Sequence, residues 1–430
     1  MDADYSEFLD VFIWPGNSPI GIEIYSQLKF NDRIRLHSIS SDANNSDYET
    51  ILHHYMPRID SMEDEDVSKN LSEIFKPYPN FVIFPAHDLI LDYIAFRDTQ
   101  KLPYIGSEKE TIALTRSKRR TYEFIENEFK FEVSPKRFNR NKPFFPVYVK
   151  PDSLYGGKGH SIVNDMQGVK KFSDDKFVLT EVLTGEEYTI ECFTDSKEKL
   201  LFCNARIRNN VVIGTSFHLV PVDEDLQEEI RNIAGLLNQK IKFRGPWYFQ
   251  LKRDSANQLK LLEISCRIPG SGIWSRLLGQ PAAELAIFDF LNHNLRIIKN
   301  DFNFHVQRAI NSFIPMKSLP KNFYLDLDGT ILINNQLNPD AIKAIIKLKQ
   351  NGRLITLITK SHKENLNLFL KDLGILHYFN SVFQINEDDE KVKYIVDLDG
   401  LFVDNSFNER EKVSRALKIP VFGPDFFELI

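Results

Sequence analysis

The chain has 430 residues, with 54 Lys and Arg against 60 Asp and Glu, for a net charge of −6. Its 42% hydrophobic and 27% charged residues exclude a disordered chain, and the acidic balance leaves no basic field for nucleic acid or anionic lipid. Cys192, Cys203 and Cys266 are too few for a disulfide framework and have no CxxC zinc spacing, which fits a reducing cytoplasm. The acidic start MDADYSEFLD lacks the basic region of a signal peptide. No apolar run approaches the length of a membrane span, so a cytoplasmic protein without membrane or nucleic-acid partners is expected.

From the N-terminus, FLDVFIW (8–14), RIRLHSIS (33–40) and NFVIFPAHD (80–88) read as strands, with IEIYSQLKF as a helix after the turn PGNSPIG. Strands separated by helices predict a parallel α/β sheet over residues 1–106. Gly16 and Gly21 flank a tight turn, and GNSPIG is not the GxGxxG fingerprint. Residues 107–300 mix strands and helices, and 301–320 reads as a connector. A fresh strand opens a second α/β segment over 321–430.

In FPVYVKPDSLYGGKGHSIV (145–163), a strand carries Lys150 into a loop with Gly156, Gly157, Lys158 and Gly159. Glycines let backbone N–H groups approach an anion and lysines add positive charge, which suits a polyphosphate. In KFVLTEVLTGEEYTIECF (176–193), Glu181, Glu186 and Glu187 stand where two strands meet, as solvated turn residues or as partners of a nucleoside. In GPWYFQLKRDSANQLKLLEISCRIPGSG (245–272), Gln250 and Glu263 sit on two strands of a hairpin, able to face each other, and Arg267 follows. Paired oxygen ligands of this kind suit Mg²⁺, and an arginine can hold a phosphoryl group bidentately.

Taken in order, Lys118, Lys150 with its glycine loop, Glu181 through Glu187, then Gln250, Glu263 and Arg267 resemble the ATP-grasp superfamily, on its carbamoyl phosphate synthetase and biotin carboxylase side. The likeness runs from about residue 8 to 300. It implies a Rossmann-like pre-ATP-grasp domain (1–106), an ATP-grasp domain (107–300) and a lead-in helix within 105–125 carrying Lys118. It further implies ATP phosphates at Lys118, Lys150 and the 156–159 loop, adenine at Glu181 and Leu183, ribose at Glu187, and Mg²⁺ at Gln250 and Glu263. Arg206 and Arg267 would stabilise the transferring phosphoryl group. Where the family commonly has E-x-N, this chain has Glu263-Ile264-Ser265; the Ser265 hydroxyl is a weaker metal ligand, which bears on a second metal but not the first. The implied chemistry is ATP-dependent joining of a carboxylate and an amine through an acyl phosphate. The family often pairs, which points to a homodimer.

In YLDLDGTIL (324–332), a hydrophobic strand ends in Asp326-Leu327-Asp328-Gly329-Thr330. Alternate residues of an extended segment share a side, so Asp326 and Asp328 can address one site, one attacking phosphorus and the other handling protons. This resembles the haloacid dehalogenase superfamily in its phosphatase form. The resemblance implies Thr359 as the phosphate-holding hydroxyl, Lys391 or Lys393 as the lysine (the KxxxI spacing favours Lys391), and Asp404 and Asn405 as candidate Mg²⁺ ligands beside Asp326 and Asp328. VDLDG (396–400) lacks the following threonine and reads as a turn. The intervals between these motifs leave no room for a large cap domain.

The expected molecule is thus a mixed α/β and α+β multidomain enzyme. It would be a carboxylate–amine ligase fused to a phosphatase that acts on a phosphorylated amine or on the ligated product. The alternative is a ligase whose C-terminal domain is an inactive docking or regulatory module, favoured by Asn405 in place of an acid.

Overall fold

The computed structural model describes residues 8–42, 51–129, 133–153, 159–212, 215–300, 306–308, 314 and 316–430, with the backbone alone at 209–212 and 215–216. The chain divides into two compact units, Met1–Ala309 and Ile310–Ile430. Among the described residues no helix is long and apolar enough to cross a membrane.

The first unit opens with β1 (Leu9–Trp14), α1 (Pro19–Leu28), β2 (Ile34–Ser40), β3 (Leu52–Tyr55), α2 (Asp64–Phe75), β4 (Phe81–Pro85) and α3 (Asp88–Phe96). The four strands form a parallel sheet in the order β3-β2-β1-β4. Central β1 is buried along its whole length, with Leu9, Val11 and Ile13 packing to one side and Phe12 and Trp14 to the other. That is why it reads as an unbroken apolar run. The sequence reading misses β3, because LHHY is a half-exposed edge strand with no apolar periodicity. Ser18 caps α1 by accepting from the Gly21 backbone N–H, and Pro19 takes the first helical position.

Next come α4 (Lys109–Arg116) and α5 (Lys118–Glu128), where one lead-in helix was expected. Ser117 breaks the run with extended backbone, and its side chain accepts from Arg120 N–H to start the second helix. Strands β5 (Val147–Pro151), β6 (Ser161–Val163) and, after the short α6 (Met166–Val169), β7 (Phe177–Glu181) form a small antiparallel sheet. Then β8 (Glu187–Thr194), β9 (Leu200–Val212), β10 (Thr215–Pro221), α7 (Glu224–Lys240), β11 (Gly245–Arg253), β12 (Leu259–Ser265), α8 (Ile273–Leu277), α9 (Ala282–Phe290) and β13 (Val306–Gln307) follow. Their strands make one six-stranded sheet, β12-β11-β8-β9-β10-β13. The stretch expected as a connector over 301–320 is therefore divided: Val306 and Gln307 pair with β10 in the first unit, whereas Met316 and Leu319 are buried in the core of the second.

The second unit contains β14 (Asn322–Leu325), β15 (Leu332–Ile333), β16 (Gln336–Leu337), α10 (Pro339–Gln350), β17 (Leu354–Thr359), α11 (Leu366–Asp372), β18 (Ser381–Gln384), β19 (Gly400–Val403), α12 (Phe407–Leu417) and β20 (Val421–Phe422). Its main sheet is parallel, in the order β18-β17-β14-β19-β20. Asp326 follows the central strand, Thr359 ends one neighbour and Asp404 follows the other, so all three gather at the carboxyl ends of adjacent parallel strands.

The turn before α1 is held by a close backbone approach: a Cβ on Gly21 would lie 2.3 Å from the Gly16 carbonyl oxygen and 2.6 Å from that of Pro15. Gly21→Ala should cost roughly 1–3 kcal/mol through this backbone clash, read as a lower urea midpoint at unchanged m-value.

Candidate functional site

One cavity of about 700 Å³ in the first unit gathers most of the residues singled out in its sequence. Lys118, Lys150, Glu181, Leu183, Glu187, Arg206, Gln250, Glu263 and Arg267 all line it. Three motifs far apart in the chain thus meet on one surface.

Sheet register explains the meeting. Gln250 on β11 lies directly opposite Glu263 on β12, beside a bulge that shifts the register after Gln250. Both side chains offer oxygen and both face the cavity, a donor set that fits Mg²⁺ completed by water and phosphate. Ser265 lies two residues beyond, but its hydroxyl donates to Asp88 Oδ1 at 3.1 Å, so its hydrogen bond is spent on the neighbouring layer.

The two lysines stand close together at the start of α5 and the end of β5. Lys150 is 3% exposed and donates to the Tyr122 hydroxyl. Burial, reinforced by the charge of Lys118, pulls its ammonium down to about 7. Burial likewise lowers Lys118, against the pull of Glu263. Two amines held this way favour an anion that would restore their full charge. Gly156, Gly157 and Lys158 lie outside the described residues; Gly159, which follows them, has φ +73°.

At the other end of the cavity, Glu181 exchanges hydrogen bonds with Lys136: its backbone N–H donates to the Lys136 carbonyl at 2.9 Å, and its Oε1 accepts from Lys136 N–H at 2.7 Å. Glu187 is engaged by two cations, Arg208 Nη1 at 2.6 Å and Lys252 Nζ at 3.5 Å. Glu186 points to the opposite face, where its Oε2 accepts from the Tyr188 hydroxyl.

Both arginines have buried carboxylate partners that the sequence reading did not single out. Asp88, at the start of α3, takes Arg267 bidentately, Nε to Oδ1 at 3.0 Å and Nη2 to Oδ2 at 2.7 Å. Burial pushes Asp88 up, but Arg267, with Arg116 and His87, more than offsets it and holds the carboxyl well below the usual range. Arg206 donates from Nε to Glu191 Oε1 at 3.3 Å and from Nη2 to the Ser271 hydroxyl. Burial brings its guanidinium down to about 10. Two signals were present: Asp88 lies three residues past the end of a parallel strand, near the customary place for a ligand-facing residue, and Glu191 falls in the alternation Glu187, Thr189, Glu191 along one face of β8.

In the second unit, Lys391 Nζ lies 2.6 Å from Asp326 Oδ1 and 2.6 Å from Asp404 Oδ2, with all three side chains buried. Burial lowers the lysine, but the two carboxylates outweigh that and raise it. Burial also pushes Asp326 up, opposed by Lys391 and reinforced by Asp404. Lys393 instead pairs on the surface with Asp389. Thr330 Oγ1 donates to Asp326 Oδ2 at 3.3 Å, and Thr359 is buried with its hydroxyl accepting from Ser361 N–H. Asp328 is exposed. Asn405 packs so near Gly329 (φ +80°) that a Cβ there would be 2.2 Å from its amide nitrogen. Among the described residues no three His, Cys, Asp or Glu side chains group closely enough to hold a metal by themselves, so a metal in either unit would draw also on amide oxygens, water or phosphate.

Comparison with known proteins bears on the first unit. The family described as ATP-grasp in the biosynthetic pathway with Ter operon matches residues 173–310. The chain is 25% identical over 154 residues to the carbamoyl phosphate synthase arginine-specific large chain of Bacillus subtilis, covering 33% of this chain and 15% of that one. It is 24% identical over 305 residues to phosphoribosylamine–glycine ligase of Methanosphaera stadtmanae, covering 62% and 60%. The chain thus spans less than two thirds of either curated relative. The biotin carboxylase domain of Hydrogenobacter thermophilus 2-oxoglutarate carboxylase, solved as a dimer with MgADP, shares the fold at a TM-score of 0.56 and 13% identity, over 70% of this chain and 74% of that one. ATP-grasp enzymes use ATP and Mg²⁺, and the lysines and paired oxygen ligands of the cavity suit both. The match over residues 173–310 makes that segment similar to an ATP-grasp family, and the solved structure shares the fold over 70% of the chain.

Proposed function

We propose that the chain is a bifunctional enzyme: an ATP-dependent carboxylate–amine ligase in its first unit and an aspartate-nucleophile phosphatase in its second. The observation that carries the ligase reading is the Gln250–Glu263 pair facing one cavity with Lys118 and Lys150. Gln250 and Glu263 would hold Mg²⁺, which would supply positive charge to the phosphates of the nucleotide. Lys118 and Lys150 bind the phosphates, Glu181 and Leu183 border the adenine, and Glu187 borders the ribose. Arg267, fixed by Asp88, brings a cation to the transferring phosphoryl group. The acid's carboxylate oxygen attacks the γ-phosphorus as the bond to ADP breaks, giving an acyl phosphate. The amine nitrogen then attacks the acyl carbon, inorganic phosphate departs, and the nitrogen loses a proton. Most of the protein's contribution is positioning and electrostatic stabilisation. Its partners are small molecules, and a homodimer in the cytoplasm is the expected assembly.

In the second unit, Asp326 is the nucleophile. Its carboxylate attacks phosphorus to form an aspartyl phosphate while Asp328 protonates the leaving alcohol; water then releases phosphate and regenerates the carboxylate. Lys391 and Thr359 hold phosphate oxygens. Asp326, Asp328, Asp404 and Asn405 are the candidate donors for Mg²⁺, which would draw on some of them together with water and phosphate oxygens, since no three acidic side chains converge among the described residues. The substrate is a phosphorylated amine or the ligated product.

Phosphorus NMR of the full chain with ATP, Mg²⁺ and pooled acids, amines and phosphorylated amines tests the whole reading. ADP should form only when an acid and an amine are both present, and hydroxylamine should trap the acyl phosphate. ADP formation that ignores the acid would overturn the ligase. Asp326→Asn should lower turnover of p-nitrophenyl phosphate by about 10³-fold or more while leaving ADP formation unchanged. Wild-type protein inert toward aryl phosphates and phosphorylated amines alike would favour the docking module. The lysine environment sets a pH dependence. Because Lys150 titrates near 7 in the free protein and bound phosphate favours its charged form, the Kd of MgAMP-PNP should weaken as pH rises above 7. Lys150→Met should bind more weakly and lose that dependence.

A further inference from the structure

The register of the six-stranded sheet places four cavity residues in one row. Glu263 is opposite Gln250, Gln250 opposite Thr189, and Thr189 opposite Arg206. All four line the cavity. With neighbouring strands about 4.8 Å apart, the backbone of Arg206 stands about 10 Å from that of Gln250.

The head of Arg206 reaches along β8 away from Glu187, to Glu191. Its partner Glu191 belongs to the next row, opposite Tyr248 and Asn204. The row of Lys252 and Glu187 lies on the other side. With Nε on Glu191 and Nη2 on Ser271, the remaining nitrogen, Nη1, is buried and has no hydrogen-bond partner among the described residues. The whole side chain is 1% exposed. A buried charged donor left unpaired is costly, so such a group in a native protein calls for a partner such as a water, an ion or a ligand. The same cavity is walled by Ser18, Pro19 and Ile20 of the first turn of α1, and by Gly270 and Ser271. A helix N-terminus adds positive potential there.

We propose that Arg206, Ser271 and the first turn of α1 form a second anion subsite. It holds a carboxylate or phosphate group of the acceptor molecule, distinct from the carboxylate activated beside Gln250 and Glu263. The assignment rests on the ligase reading and deepens it: the acid substrate is a dianion, and Arg206 selects for its second charge rather than serving the transferring phosphoryl group.

Calorimetric titration of the full chain saturated with MgAMP-PNP tests this, with three probes of similar length: adipate, 5-phosphonopentanoate and hexanoate. At least one dianion should bind 10-fold or more tightly than hexanoate, and the tighter of the two identifies the second group as carboxylate or phosphate. Arg206→Lys keeps a charge opposite Glu191 but lacks the guanidinium fork, and should reduce dianion binding to the hexanoate level. The double variant Glu191→Gln/Arg206→Met removes the charge without stranding a carboxylate and should do the same. Retained MgAMP-PNP affinity shows that each variant is folded. Equal binding of hexanoate and both dianions to the wild type would overturn the subsite, as would a dianion advantage that survives in both variants. If MgAMP-PNP itself failed to bind the wild type, the ligase reading would fall separately, and titration of the same probes without nucleotide would still decide the subsite.

Discussion

The buried pair between Asp88 and Arg267 is the constraint on which the rest of the first unit's site depends. It joins a residue at the start of α3, beside the parallel sheet, to one just past β12 of the antiparallel sheet, 179 positions apart. Neither partner could be buried alone: removing one side of a desolvated ion pair typically costs about 3–5 kcal/mol. Two parallel N–H to oxygen bonds also set the angle between the groups, not merely their distance. Ser265 adds a third bond to Asp88, and the Arg267 guanidinium lies over the Tyr248 ring at 5.3 Å from its centroid. The interaction orients as much as it stabilises. It fixes where the end of β12, and so Glu263 two residues before Ser265, faces relative to the parallel layer.

With that geometry set, the sheet distributes charge along the cavity. Alternation puts Glu187, Thr189 and Glu191 of β8 on one face, and register brings Lys252 and Arg208 to Glu187 and Arg206 to Glu191. Each acidic residue of β8 therefore meets a cation from a neighbouring strand. The two lysines from outside this sheet, Lys118 and Lys150, are buried, and burial lowers both. Positive charge is thus paired along the sheet, whereas burial works against it at the two lysines.

The apolar runs and the acidic turn at the end of β14 were legible because each is local: a buried strand announces itself by composition, and a turn after a strand by a short string of residue types. The lysines, Gln250 and Glu263 were legible for the same reason, although their sharing of one cavity came only from order along the chain. Asp88 and Glu191 were not read out, because their meaning lies in partners 179 and 15 residues away. Edge strand β3 was missed because a half-exposed LHHY has no period to detect. The break at Ser117 was missed because SKRRTYEF is a sound helical sequence whose first residue turns out to be a cap. The stretch 301–320 was read as one connector, yet its described parts are drawn into two separate cores.

The second unit shows how little a motif says about charge balance until partners are known. Read as a string, the acidic turn at Asp326 and the one at Asp404 are two carboxylates that a parallel sheet brings to neighbouring strand ends. Left alone in a buried place they would repel each other, and one would take up a proton. Lys391 sits between them at 2.6 Å from each, and the two negative charges outweigh the burial that would otherwise discharge it. The lysine therefore does two things with one charge: it makes the pair of carboxylates tolerable in the interior, and it leaves a cation beside Asp326. Lys393, two residues on, does neither, because the helical turn over Lys391–Tyr394 points it outward to Asp389. Spacing could favour one lysine over the other, but the turn that separates their directions is a feature of backbone geometry.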